Sequence, residues 1–227
     1  MNVAIIPARG GSKRIYRKNV KLFHGKPMIA YSIEAALQSG CFDKVIVSTD
    51  DKEIADISVA YGAEVPFIRP ADISDDFATT MDVMHHAMIW CKSCGYDVEA
   101  VCCLYATAPF VTQEFLQQGL AKLKEGGYEF VFSATSFPFP IQRAIKLSEN
   151  STVSMFSPEY QLIRSQDLEE AYHDAGQFYW GKASAFLDRK AIFSSHSSVI
   201  LLPRSRVQDI DTQEDWDFAE ALYSTLK

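Results

Sequence analysis

Apolar residues fall along this chain in two alternating patterns. Short unbroken apolar runs occur at Val3-Ala-Ile-Ile-Pro7, Lys44-Val-Ile-Val-Ser48, Val98 to Tyr105, Phe130-Val-Phe-Ser-Ala134, Gly176-Gln-Phe-Tyr-Trp180 and Ser198 to Leu202, with a further run at Glu64 to Ile68. Each predicts a buried strand. Between them lie longer stretches whose apolar residues recur at helical spacing: Met28 to Leu37, Glu53 to Tyr61, Asp76 to Ser93, Gln113 to Lys124, Lys182 to Leu187 and Trp216 to Leu226. Gly40, Gly62 and the pair Gly126-Gly127 stand where helices need a left-handed terminator, and Asp211-Thr212 stands where the last helix needs a cap. Unbroken apolar strands alternating with helices predict a mostly parallel sheet covered on both faces, the α/β doubly wound, Rossmann-like arrangement.

The rhythm breaks after Thr135. Residues 137–172 carry prolines, aromatics and a hairpin signal at Glu149-Asn150-Ser151, without a βα repeat. We read residues 1–227 as a single domain and residues 137–172 as an arm that leaves the sheet and returns. The arm exposes Phe137, Phe139, Ile141, Met155, Phe156 and Tyr160, which predicts that two copies pair through it about a twofold axis as a homodimer.

Charge narrows the function. The formal net charge is -7 and the isoelectric point is near 5.2, which argues against nucleic acid or an anionic membrane as the main partner. No run of eighteen apolar residues and no signal-peptide pattern is seen, so a cytoplasmic protein is expected. The five cysteines are an odd set. Cys91 and Cys94 have zinc-like spacing but no second pair to match, and Cys102-Cys103 lie inside an apolar run as small core residues. His24, His85 and His86 are read as structural.

Against this acidic background the chain concentrates cations from Arg9 to Lys21. The turn Ala8-Arg-Gly-Gly-Ser-Lys13 leaves the first strand, the place where open α/β sheets bind phosphates. Gly10 and Gly11 would admit phosphate oxygens to backbone N–H groups, and Arg9, Lys13 and Lys18 would add charge-assisted hydrogen bonds. A solvated basic loop is the alternative. The turn matches neither a Walker loop nor a GxGxxG fingerprint.

The string Ile5 to Arg14, followed by Arg17-Lys-Asn19, resembles the first motif of the CMP-sialic acid synthetase (acylneuraminate cytidylyltransferase) family. The likeness continues through Val47-Ser-Thr-Asp50, Arg69-Pro70, the Asp76 to Asp82 stretch and Asp209-Ile-Asp-Thr212, in the family's order. Where sialate enzymes usually read LQPTSP, this chain has Leu104-Tyr-Ala-Thr-Ala-Pro109. With Asp174 to Trp180 and Arg164-Ser-Gln166, that segment is similar to the branch acting on pseudaminic acid. Tyr105-Ala106 also departs from Kdo cytidylyltransferases.

The resemblance implies that CTP and a free nonulosonic acid give a CMP-sugar and pyrophosphate, a displacement that needs alignment and charge neutralisation above all. It implies that Ala8, Arg9, Gly10, Gly11, Ser12, Lys13 and Lys18 hold the triphosphate, with Arg9 and Lys18 catalytic. Asn19, Arg69 and Thr80 would read cytosine and ribose. Asp209 and Asp211 alternate on an extended segment, so they share a side; they suit Mg²⁺ or another divalent cation, while Asp211 could also simply begin the last helix. The family pattern includes both and favours metal. Asp50 and Asp51 fit a turn or cap equally well. For the sugar, Arg143 and Arg164 suit a carboxylate, and Tyr105, Gln142, Gln177 and Tyr179 offer hydrogen bonds and apolar faces; for each of the six a surface or packing role is the alternative. Other enzymes of this fold, for sialate, legionaminate or Kdo, and a non-catalytic nucleotide-binding module are the competing readings.

Overall fold

The computed structural model describes residues 1–226. Its strands are β1 (Asn2–Pro7), β2 (Leu22–Phe23), β3 (Lys26–Pro27), β4 (Lys44–Ser48), β5 (Ala100–Leu104), β6 (Phe130–Ser136), β7 (Ile145–Leu147), β8 (Val153–Met155), β9 (Tyr172–Lys182) and β10 (Ser197–Leu201). Its α-helices are α1 (Met28–Ser39), α2 (Lys52–Ala60), α3 (Thr80–Ser93), α4 (Gln113–Gly126), α5 (Ala183–Leu187) and α6 (Gln213–Ser224). Six strands form the central sheet in the order β10-β6-β9-β5-β1-β4. All neighbours are parallel except β9, which runs antiparallel to both β5 and β6. This is the α/β doubly wound architecture that the pattern of apolar runs predicts.

The register explains why the strands read as continuous apolar runs. Ile5 sits beside Ile46 of β4 and Cys103 of β5 within the sheet, and it and Ile6, which point to opposite faces of β1, are both fully buried. One face packs Ile6, Val47 and Trp180 against Ile33 of α1 and Leu116 of α4; the other packs Ile5, Cys103 and Phe130 against Met84, Met88 and Cys91 of α3 and Phe186 of α5. The cysteines at 91, 102 and 103 are buried free thiols, and burial raises the pKa of each. A third, smaller cluster seats Trp216 and Ala219 of α6 on Phe23, Met28, Ile15 and Ile210. That cluster brings the end of the chain against the segment following β1.

Three expected elements differ. The run Glu64 to Ile68 is not a strand; it touches β4 only at the isolated bridges Ile46 to Glu64 and Thr49 to Ile68, because Pro66 between them has no N–H for a ladder. The helix expected from Asp76 starts at Thr80. Thr79 and Asp82 form a capping box there, and the Asp75 carboxylate turns the preceding loop by accepting from Phe77 N at 2.9 Å and Ala78 N at 2.8 Å. The last helix starts at Gln213 rather than Trp216, with Thr212 as its cap and Asp215 completing the box.

Residues between β6 and β9 lie off the central sheet, with β7 and β8 paired as a hairpin of their own and Ser151 in the left-handed region at its turn. Phe137 N donates to Ala171 O at 3.0 Å at the base of this segment. Phe139, Leu147, Val153, Phe156 and Leu162 are all exposed along it.

The Asp82 carboxylate is held down to about 2 by its hydrogen bonds from Thr79 and from Arg189, 2.6 Å away. A folded pKa below the unfolded value stabilises the fold above about pH 4, and that contribution is lost as pH falls toward 2. Asp82→Ala is therefore expected to cost about 1 to 2 kcal/mol at neutral pH. In acid titrations of unfolding followed by circular dichroism, variant and parent should converge near pH 2; a constant gap down to that pH would remove the carboxylate as the cause.

Candidate nucleotide site

The carboxyl ends of β1 and β5 open into a cavity of about 600 Å³. The turn after β1 contributes Arg9, Ser12, Lys13, Arg14, Lys18 and Asn19 to its wall; Arg69, Asp76, Thr80, Tyr105 and Asp211 arrive from elsewhere in the chain. Parallel strands place these loops together because each crossover returns the chain to the same sheet end.

Each cation on the wall meets a carboxylate. Arg9 donates to Asp75 O and to Asp76 Oδ1, both at 2.8 Å, and Lys13 binds the other oxygen of Asp76. Arg14 pairs with Asp211 at 2.9 Å, and Lys18 donates to Ile210 O at 2.5 Å and to Asp211 Oδ1 at 3.2 Å. Asp76 and Asp211 thus each neutralise two cations. Asn19 is buried and ties the turn to itself by donating from Nδ2 to Arg9 O at 3.0 Å.

Arg69 differs from the others. Its side chain is only 3% exposed, and its Nε and one Nη make no hydrogen bond; the nearest carboxylate, that of Asp50, is 3.7 Å away. Burial lowers its pKa, and a buried guanidinium with open donors is costly unless something completes it. Arg69 lines the cavity, while those two nitrogens are themselves shielded from solvent. Thr80, the first residue of α3, lies with its hydroxyl 3.2 Å from that of Tyr105.

The remaining sequence candidates are placed as follows. Gly10 does not offer its N–H to the cavity, since that group donates to Asp50 Oδ1 at 2.9 Å; Gly11 faces open space. Ala8 is buried and donates from its backbone N to Ser48 O at 2.9 Å. Of the six sugar candidates only Tyr105 lines the cavity. Gln177 is buried, donating to Arg206 O at 2.5 Å, while its Oε1 has no hydrogen-bond partner. Tyr179 is buried too, its ring 5.4 Å from that of Tyr105 and its hydroxyl donating to Asp174. Gln142, Arg143 and Arg164 lie in the arm and bond within it, to Glu169 O at 2.9 Å, Ile163 O at 2.5 Å and the Asp167 carboxylate at 2.7 Å respectively. They do not reach the cavity of their own chain.

Two charged wall residues have no role in the sequence reading, Arg14 and Asp76. Both stand in quoted motifs, but Asp76 pairs with residues more than sixty positions away, which no local pattern reveals.

For a cation, no cluster of three or more His, Cys, Asp or Glu groups exists among the described residues. Of the two predicted cation ligands, Asp211 lines the cavity and Asp209, two residues before it, does not. The Asp209 pKa is raised, first by the protein packed around it and then by the charge of Asp211. Two hard oxygen groups that repel one another fit a divalent ion that draws its other ligands from phosphate and water.

A family model described as Cytidylyltransferase matches residues 3–226. The chain is 50% identical over 222 residues to a protein named pseudaminic acid cytidylyltransferase from Campylobacter jejuni, covering 98% of this chain and 96% of that one. It is 36% identical over 230 residues to a CMP-N,N'-diacetyllegionaminic acid synthase from Legionella pneumophila, covering 97% and 95% of the two. Among solved structures, a CMP:2-keto-3-deoxy-manno-octonic acid synthetase complexed with CTP superposes with a TM-score of 0.71 at 16% identity, covering 100% of this chain and 99% of that one. At that identity the likeness is one of fold.

Arg69→Met removes a buried charge only loosely paired with Asp50, at 3.7 Å, and keeps a long apolar stem. Chemical unfolding without ligand should then show stability unchanged or raised by about 1 kcal/mol, while nucleotide binding falls. A large loss of stability would mean that the guanidinium serves the fold.

Proposed function

The chain belongs to the cytidylyltransferase family, and from that premise we propose that it transfers CMP from CTP to a free nonulosonic acid, pseudaminic acid, with release of pyrophosphate. It is a nucleotidyltransferase. The observation that carries the choice of sugar is half identity along nearly the whole length to a pseudaminic acid cytidylyltransferase, against 36% to the legionaminate enzyme.

In this reaction the anomeric hydroxyl oxygen of the sugar forms a bond to the α-phosphorus of CTP and loses its proton, while the bond from that phosphorus to the pyrophosphate oxygen breaks. The reaction moves negative charge onto the departing pyrophosphate, so fixed cations around it lower the barrier. Arg9, Lys13 and Lys18, with Ser12, would take the triphosphate, and Arg14 adds a further cation on the same wall. Asp76 and Asp211 hold these cations ready, and phosphate oxygens exchange places with a carboxylate at each. Arg69, on the cavity wall, would read the base, with Thr80 and Asn19 completing that end. Mg²⁺ held by Asp209 and Asp211 would add charge stabilisation at the phosphates.

The arm supports a homodimer. Its exposed apolar residues need cover, and Arg143 and Arg164, remote from their own cavity, would serve the neighbour's sugar carboxylate. No helix among the described residues is long and apolar enough to cross a membrane. We place the enzyme in the cytoplasm, at the supply of CTP.

Pyrophosphate release measured with CTP, Mg²⁺ and a panel of purified nonulosonic acids should be fastest with pseudaminic acid; preference for legionaminic or N-acetylneuraminic acid would overturn that choice. In the same assay Asp211→Asn should lose about a hundredfold or more in turnover. Unchanged turnover would take Asp211 out of the reaction.

Mixing Arg164→Ala chains with Lys18→Ala chains tests the shared site. Heterodimers in which one cavity has both residues intact should regain activity. A mixture no more active than its components would show that the arm serves its own chain.

A further inference from the structure

Five cationic side chains lie between Arg9 and Lys18, and four of them line the cavity. Arg17 is the fifth and points elsewhere. Its side chain, 21% exposed, grips Asp51 with both terminal nitrogens, one of them at 2.9 Å, and also binds Glu53. Its backbone stands in the left-handed region at φ 54°, a conformation that non-glycine residues keep only where their surroundings enforce it. Val20 N and Lys21 N donate to Arg17 O at 3.0 and 2.9 Å, so the backbone carrying Lys18 and Asn19 bends at this residue.

The other end of the basic turn rests on the same Asp51 and on its neighbour Asp50. A side chain at Gly10 would come within 2.6 Å of Asp51 Oδ2 and 2.9 Å of Asp51 Cβ, so only glycine fits against it. Gly10 N–H donates to the neighbouring Asp50 at 2.9 Å, and Asp50 is also the carboxylate nearest Arg69. Asp51 is fixed from behind: its Oδ1 caps α2 by accepting from Ile54 N at 3.0 Å, and its own N–H donates to Thr49 Oγ1 at 3.1 Å. Arg17 holds the Asp51 carboxyl down to about 2, so the pair stays charged at neutral pH.

We propose that Asp51, clamped to Arg17 and seated under Gly10, is a positioning residue that fixes both ends of the basic turn and so sets Arg9 and Lys18 at the spacing a nucleotide triphosphate requires. The inference rests on the proposed function, which makes the cavity a CTP site. Its physical basis is preorganisation. A turn with two adjacent glycines and several like charges is intrinsically mobile and self-repelling, and ordering it in advance removes that cost from nucleotide binding. The bidentate geometry suits arginine and carboxylate and cannot be reproduced by lysine. Neither Asp51 nor Arg17 touches the cavity, so the effect must pass through the turn.

The test uses Asp51→Asn, which keeps a good helix cap but removes the ion pair, together with Arg17→Ala, Arg17→Lys, the Asp51→Asn/Arg17→Ala double variant and Lys18→Ala as reference. CTP dissociation constants are measured by calorimetry well below each variant's melting temperature, and KM is measured for both substrates. Asp51→Asn and Arg17→Ala should each weaken CTP by roughly ten- to a hundredfold, the scale of a misplaced but intact binding group, with KM for the sugar unchanged. Arg17→Lys should fall between. The double variant should bind no more weakly than the weaker single variant, because both changes break one device. Normal CTP affinity in Asp51→Asn and Arg17→Ala, with affinity lost in Lys18→Ala, would overturn the clamp and leave the site standing, even if melting temperatures fall. Normal affinity in Lys18→Ala would remove the site and the clamp together.

Discussion

Arg9, Lys13, Arg14 and Lys18 share one cavity wall, and like charges that close repel unless each is neutralised. Much of the surrounding structure answers that constraint. Asp76 comes from the loop before α3 to face Arg9 and Lys13; Asp211 comes from the far end of the chain to face Arg14 and Lys18. The arrangement stores charge ready for an anion of higher charge density than a carboxylate. A triphosphate, in the function proposed above, would exchange one set of oxygens for another.

Delivering Asp211 to that wall depends on packing far from chemistry. Trp216 is buried on α6 with its ring edge-on to Phe23 at 5.5 Å, and Lys21 lies over the Trp216 ring at 4.2 Å. This aromatic cluster docks the last helix onto the β2 and β3 ribbon, immediately after the basic turn. The capping box of Thr212 and Asp215 then starts α6, leaving Asp209 and Asp211 on the extended segment before it. Thr212 takes the capping role, so Asp211 does not cap the helix, and its carboxylate pairs with Arg14 and Lys18.

The reversed strand β9 links the cavity to the arm. It carries the chain back from the arm between β5 and β6, and puts Tyr179 against Tyr105, which lines the cavity. Tyr179 has its phenol held by Asp174 and its pKa raised, first by burial, so it stays a neutral donor. Gln177 and Tyr179 therefore stand behind the wall, supporting Tyr105, and do not form the wall themselves.

Local pattern was enough for most of the scaffold. The buried runs at Val3 to Pro7 and Lys44 to Ser48, the left-handed glycines at 40 and 127 and the cap at Thr212 could be read directly, because two-sided burial and helix termination leave marks within a few neighbouring residues. The concentration of cations after β1 was equally plain, and so was its position at the sheet end that binds ligands. What the sequence did not contain was the set of partners. Asp76 and Arg9 are separated by 67 positions, Lys18 and Asp211 by 193, and Arg17 and Asp51 by 34. Periodicity records whether a residue is buried, not which crossover carries it to whom. The same limit hid the arginine that turns away from its four neighbours and the glycine that makes room for Asp51 rather than for a ligand. Those outcomes were decided by the tertiary structure, since long-range electrostatic pairing and steric fit exist only once the sheet has brought the loops together.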